Sequence, residues 1–336
     1  MSKFAVRISL LFLTCGAACL LHTPALAQNL LQLSFPVDCV LGESCLTVNY
    51  TDVDPAATAA KDYMCNSKTT DDHKGTDFAL RSRLDMEAGV AVKAALAGKV
   101  LRVRDGESDD IKTEEEYQTI HKANRDCGNG ILLDHGNGLQ TFYCHLRKDS
   151  LKVKSGDTVK EGQDIAQVGQ SGMAEFPHLH FALIAQDKTI DPFTGLSSTE
   201  GCGKFHDNLW KDDLPYEPFT VFDAGFRSAP PDFESIKRGE INPDTLPRNS
   251  AALVFWAGFY HAVKGDKVTL KITAPDGSVF RENTYTIEEN RKRPSYYYTG
   301  RNNDSDPFAP GTYKGTLTYE REGYGAQTIT RDIRVD

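Results

Sequence analysis

The 336-residue chain has no excess of positive charge, no long apolar run after its first 21 residues and no internal repeat. With 47 acidic against 38 basic residues its formal net charge is −9, which excludes a generic nucleic-acid binder that works through a basic surface. No later stretch approaches the roughly 20 apolar residues of a spanning helix, so no membrane span is expected. The one early run, Ile8 to Leu21, is also too short to span. It follows Lys3 and Arg7 and ends at Thr23-Pro24-Ala25-Leu26-Ala27, so residues 1–27 read as a signal peptide and the chain as periplasmic or secreted. His-Glu-x-x-His is absent, which excludes a zincin helix, and Gly169-Gln170-Ser171-Gly172 falls short of the Gly-x-Ser-x-Gly nucleophile elbow.

What is present is ordinary globular composition, 40% hydrophobic and 25% charged, in a length that suits about two domains. Removing Cys15 and Cys19 with the leader leaves Cys39, Cys45, Cys65, Cys127, Cys144 and Cys202, none in a C-x-x-C pair. An even number in an exported chain points to disulfides rather than a thiolate zinc site. Six cysteines allow 15 pairings. Short loops favour Cys39 with Cys45 and Cys127 with Cys144, leaving Cys65 with Cys202.

Short alternating runs between glycine-containing turns predict strands at Val90–Ala95, Lys99–Val103, Ile131–His135, Leu139–Leu146 and His178–Ile184. Gly136-Asn137-Gly138 carries a hairpin signal between the third and fourth. The polar stretch 105–126 reads as a solvated surface insertion with one helical turn. Scattered prolines after Cys202 suggest a linker over 201–216. Alternation returns beyond Ala251, at Val268, Leu270 and Ile272, at Val279–Ile287, Tyr296–Thr299, Thr312–Tyr319 and Thr328–Val335, predicting an immunoglobulin-like β-sandwich over 217–336. The fold class is thus mainly β: a compact antiparallel domain over 28–200 and a C-terminal sandwich.

Among nine histidines, His73, His145, His178 and His180 stand in informative places. In a strand, His178 and His180 share a face while Leu179 and Phe181 enter the core. His73, Asp77 and His180 offer two imidazoles and a carboxylate, a donor set that holds zinc and leaves a fourth position for water. His121, His135, His206 and His261 read as solvated or hydrogen-bonded side chains.

His73-x-x-x-Asp77-Phe78, Tyr143-Cys144-His145-Leu146, the run Val153 to Gln163, Val168-Gly169-Gln170-Ser171-Gly172 and Pro177-His178-Leu179-His180-Phe181 together resemble, over about residues 70 to 193, the LytM or lysostaphin-type zinc endopeptidases of family M23. The resemblance implies that His73, Asp77 and His180 bind Zn²⁺ and that His178 and His145 are catalytic. It also implies cleavage of peptidoglycan peptides. On general grounds zinc activates a water, His178 takes its proton, and His145 stabilises the oxyanion or shares the proton transfers. The absence of a lysostaphin-like wall-targeting module and the paired cysteines favour D-alanyl-diaminopimelate cross-links. The alternative is a non-hydrolytic wall-binding or hydrolase-activating module, with the C-terminal domain as the surface open to a protein partner. Among Tyr296, Tyr297 and Tyr298, alternate tyrosines are expected to pack within the sandwich rather than bind glycan.

Overall fold

The computed structural model describes residues 31–56, 59–239, 243–291, 293–304 and 306–336; the leader expected at 1–27 lies outside them. Residues Gln32–Asp336 form one compact unit. Its first part comprises β1 (Cys45–Asn49), β2 (Thr76–Leu80), α1 (Arg83–Ala88), β3 (Ala91–Lys93), β4 (Gly98–Arg104), α2 (Glu114–Lys122), β5 (Asn129–Asp134), β6 (Leu139–Leu146), β7 (Thr158–Val159), β8 (Asp164–Gln167), β9 (His178–Ala185), β10 (Lys188–Asp191) and β11 (Leu196–Ser197). The main sheet runs β1-β2-β9-β6-β5-β4-β7, with β10 on β9 and β11 on β10, while β3 and β8 form a separate ladder. Alternation explains β9: Leu179, Phe181 and Leu183 are buried on one face, and His178, His180, Ala182 and Ile184 line a cleft on the other.

The second part comprises β12 (Thr220–Arg227), α3 (Phe233–Arg238), β13 (Thr245–Leu246), β14 (Ala252–Tyr260), β15 (Lys267–Thr273), β16 (Val279–Thr286), β17 (Ser295–Asn302), β18 (Gly311–Arg321) and β19 (Gly325–Val335). Two sheets, β12-β14-β17 and β13-β19-β18-β15-β16, enclose one apolar core that includes Phe226, Phe255, Leu270, Leu317 and Ile333. β12 and β14 lie beyond the runs read from sequence. Every residue of β14 is buried, because Leu253, Phe255, Ala257 and Phe259 face the sandwich core while Trp256 and Tyr260 join Leu46, Val48 and Ala79 of β1 and β2 in a second cluster. A strand covered on both faces reads as a continuous apolar run rather than an alternating one.

The stretch read as a linker is fastened to the first part. Leu209 and Trp210 are buried, the Leu33 N–H donates to the Leu209 carbonyl at 2.6 Å, and the Trp210 ring packs on Phe35, Phe78, Phe181 and Phe193. Disulfides join Cys39 to Cys45, Cys65 to Cys202 and Cys127 to Cys144. Near the junction with the sandwich, Lys68 is wholly buried and its Nζ donates to the Glu217 carbonyl at 2.7 Å; burial pulls its pKa down to about 7. Tyr297 packs against the sandwich core and stacks on Tyr285, and Tyr296 stacks on Phe233, whereas Tyr298 is more exposed.

The insertion at 105–126 corrects the expectation of a solvated loop with one turn. Its nine-residue helix α2 starts at a capping box, in which the Thr113 hydroxyl accepts from the Glu116 N–H and the Glu116 carboxylate accepts from the Thr113 N–H. Although α2 buries no residue, the insertion is pinned to the loop at 170–174. The Gln170 N–H donates to Asp109 Oδ1 at 2.7 Å, Lys112 Nζ to the Gln170 carbonyl at 3.1 Å, and the Tyr117 hydroxyl to the Ala174 carbonyl at 2.9 Å.

Candidate metal centre

Strand register assembles the centre. Asp77 on β2 lies opposite Asn49 on β1 and opposite His180 on β9, and His180 lies opposite Cys144 on β6. Directly opposed residues project to the same side, so these four form a row across the sheet. Alternation would send His145 to the far side. Its backbone instead takes a left-handed φ of 60°, beside a register shift between β5 and β6, and its ring comes within 4.5 Å of the His178 ring, centre to centre. The Cys127–Cys144 bridge and the bond from the His145 N–H to the Cys127 carbonyl, 2.8 Å, hold that turn.

Hydrogen bonds fix three of the rings. Carbonyl oxygens only accept, so Nδ1–H donates from His73 to Tyr50 (2.8 Å), from His145 to Ser171 (2.8 Å) and from His178 to Phe176 (2.9 Å). Each ring therefore keeps an Nε2 lone pair. His73 Nε2 lies 3.0 Å from Asp77 Oδ2, and His180 Nδ1 lies 2.9 Å from Asp77 Oδ1 and 3.2 Å from His73 Nε2. The donor atoms of His73, Asp77 and His180 all lie within 4.8 Å of one another, so the three can hold a metal ion. His178 Nε2 stands 3.8 Å from Asp77 Oδ1, beside this trio.

The electrostatics favour a cation among these groups. Burial by itself would raise the Asp77 pKa, but the neighbouring His73 and His178 and the hydrogen bond from His180 hold it well below the usual carboxylate range. Burial opposes protonation of His73, and the Asp77 carboxylate outweighs it and raises that pKa. Burial lowers the pKa of His178 despite Asp77, and burial with the neighbouring His178 and His180 lowers that of His145 well below the ordinary value. Both rings are thus unprotonated at neutral pH, the state that a general base requires.

The cleft around these residues measures about 780 Å³, with Phe142, Cys144, Ala182 and Ile184 on its floor. It is also lined by Met173, Glu175 and Phe176 and, from the second part of the chain, by His261, Arg293 and Pro294. The Gly-Gln-Ser-Gly run serves close packing here. A Cβ at Gly172 would lie 2.3 Å from the Asp126 carbonyl and one at Gly128 2.4 Å from the Ser171 backbone, with φ of 72° and 61°, so only glycine fits. The other histidines divide. His121 pairs with Asp126, His206 with Asp207, and His135 with the Ala97 carbonyl, whereas His261 is buried at the cleft wall. Asn49 and His261 were not legible as cleft residues, because only the register of β1 and the docking of β14 bring them there.

A carboxylate and two imidazoles meeting in an open cleft, with two further imidazoles beside them, define a metallopeptidase-type centre. Residues 71–192 match peptidase family M23, and the chain carries an M23 peptidase domain there. Over 119 residues the chain is 33% identical to the peptidoglycan DD-endopeptidase ShyB of Vibrio cholerae, a match covering 35% of this chain and 22% of that protein. An uncharacterized metalloprotease of Haemophilus influenzae is 33% identical over 122 residues, 36% of this chain and 20% of the relative. The chain thus spans about a fifth of the length of these relatives. A solved zinc-containing peptidase from Vibrio cholerae is 28% identical, covering 43% of this chain and 39% of that one, with a TM-score of 0.28. Zinc is the metal of M23 peptidases, and the donor set here suits it.

Proposed function

We propose that the protein is a zinc metalloendopeptidase of the cell envelope, periplasmic or secreted, that hydrolyses peptide cross-links of peptidoglycan. The observation that carries this reading is the convergence of His73, Asp77 and His180 with the Nε2 atoms of His178 and His145 above one groove. His73, Asp77 and His180 hold the metal. When bound, zinc supplies Lewis acidity toward a peptide carbonyl and eases ionisation of a water molecule. His178 accepts the proton of the attacking water at Nε2 and returns it to the leaving amine. His145 also presents an unprotonated Nε2, so it shares the proton transfers and can stabilise an oxyanion only after it has received one. A non-hydrolytic module has no use for two such bases, and the DD-endopeptidase name of ShyB supports the hydrolytic reading.

We read residues 217–336 as an immunoglobulin-like domain. The first, second and fifth of its seven long strands form one sheet, and the third, fourth, sixth and seventh form the other. For the substrate we favour the D-alanyl-diaminopimelate bond. Digestion of purified diaminopimelate-type peptidoglycan and of a pentaglycine substrate, with products resolved by mass, tests this: cross-linked dimers should give way to monomers. Cleavage confined to pentaglycine would overturn the substrate, and cleavage of neither would overturn the activity.

A further inference from the structure

The last residues of β14 reach the metal centre from the sandwich. Tyr260 packs on Phe176, ring centres 5.0 Å apart, and Phe176 in turn packs on His178 and receives its Nδ1–H. The next residue, His261, is 2% exposed and has a left-handed φ of 55°. That conformation is held from behind, because the buried Arg321 donates through Nη2 to the His261 carbonyl at 2.6 Å while its Nε and Nη2 bind Asp266 at 3.0 and 2.7 Å. So turned, the ring places Nε2 2.8 Å from Asn49 Oδ1, and Asn49 Nδ2 lies 2.7 Å from Asp77 Oδ2.

The direction of this chain follows from what each group can do. An ionised carboxylate only accepts, so Asn49 must present its amide N–H to Asp77 and its oxygen to His261, and His261 Nε2 must carry a hydrogen. We propose that His261 is a positioning residue for the metal centre: through Asn49 it sets the orientation of the Asp77 carboxylate, so that the C-terminal sandwich completes the centre instead of merely flanking it. Groups that orient a ligand from behind govern metal affinity as well as activity. Without His261 the Asn49 amide is free to turn its oxygen toward Asp77, which replaces an attraction by a repulsion.

The inference rests on His73, Asp77 and His180 holding the metal, and the test separates the two claims. Zinc affinity of the full chain, measured by chelator competition, and the visible spectrum of the cobalt-substituted protein are compared for the wild type and for His261→Phe, Asn49→Leu, His261→Gln, the Phe/Leu double variant and His180→Ala. His261→Phe and Asn49→Leu should each weaken zinc binding by about 10- to 100-fold, the range for removing an outer-shell partner. Because they break one chain, the double variant should be no weaker than the worse single one. His261→Gln, which keeps a donor, should recover most of the affinity and the wild-type cobalt spectrum, which loss of packing alone would not predict. If His261→Phe does not fold, Asn49→Leu breaks the same chain from the peptidase side. Wild-type affinity and spectrum in Asn49→Leu, or in a folded His261→Phe, would overturn the relay, provided that His180→Ala has lost zinc. Zinc retained by His180→Ala would overturn the ligand assignment and the relay with it.

Discussion

On the peptidase side, one face of β2, β6 and β9 buries Asp77, His145 and His178, whereas the facing sheets of the sandwich bury Leu253, Phe255, Leu270, Leu317 and Ile333. Buried imidazoles and a carboxylate are stable only when they satisfy one another, as they do here through Tyr50, Phe176 and Ser171 carbonyls and through mutual contacts. The sandwich needs no such arrangement, since apolar area alone favours its closure. Its buried charges, Asp266 and Arg321, are paired and turned toward the junction. The difference separates two roles: one region carries chemistry, and the other supplies a stable body that holds it in shape.

If that division holds, truncating the sandwich core should cost stability without touching the metal ligands. Leu270→Ala removes a fully buried side chain and should destabilise the protein by about 2–5 kcal/mol, read from urea unfolding. Zinc bound per folded molecule should stay at the wild-type value; a fall would mean that the sandwich core itself governs the centre.

The Cys127–Cys144 bridge tests the other side of the comparison. Replacing both residues by serine opens a loop of 17 residues and should cost about 2–4 kcal/mol. Turnover should fall as well, because the bridge anchors the turn that delivers His145. Equal turnover per folded molecule would show that the His145 conformation is kept by the Ser171 and Cys127 carbonyl bonds alone.

The smallest effect belongs to Lys68, where the two regions meet. Burial lowers its pKa from 10.5 to about 7, so between those values the unfolded chain binds more protons than the folded one. Stability from this group therefore rises with pH across that window. Urea midpoints at roughly pH 7.5 and 9.5 should show the wild type gaining on Lys68→Met as pH increases. A difference that does not change with pH would show that Lys68 keeps its ordinary proton affinity in the fold.

The same contrast explains what was legible in the sequence. Within the five-stranded sheet, β15 and β18 alternate, as in the Val268, Leu270 and Ile272 face of β15, and such patterns expose themselves. So does the His178-x-His180 pair, because period two places both on one face. β14 hides, since burial on both faces erases alternation. The Thr113-x-x-Glu116 box that starts α2 was readable as a helix start, but the acidic run around it reads as solvated loop. The chain from His261 through Asn49 leaves no local trace, for it joins residues 212 positions apart. His145 was found by its motif, while the left-handed turn that brings it to the cleft belongs to the register shift and the disulfide.

The most direct test of the whole account is His178→Ala, with zinc content and peptidoglycan turnover measured on the same preparation. The account predicts one zinc per chain, as in the wild type, with turnover lowered by about 10² to 10⁴, the usual contribution of a general base. Wild-type turnover in that variant would contradict it.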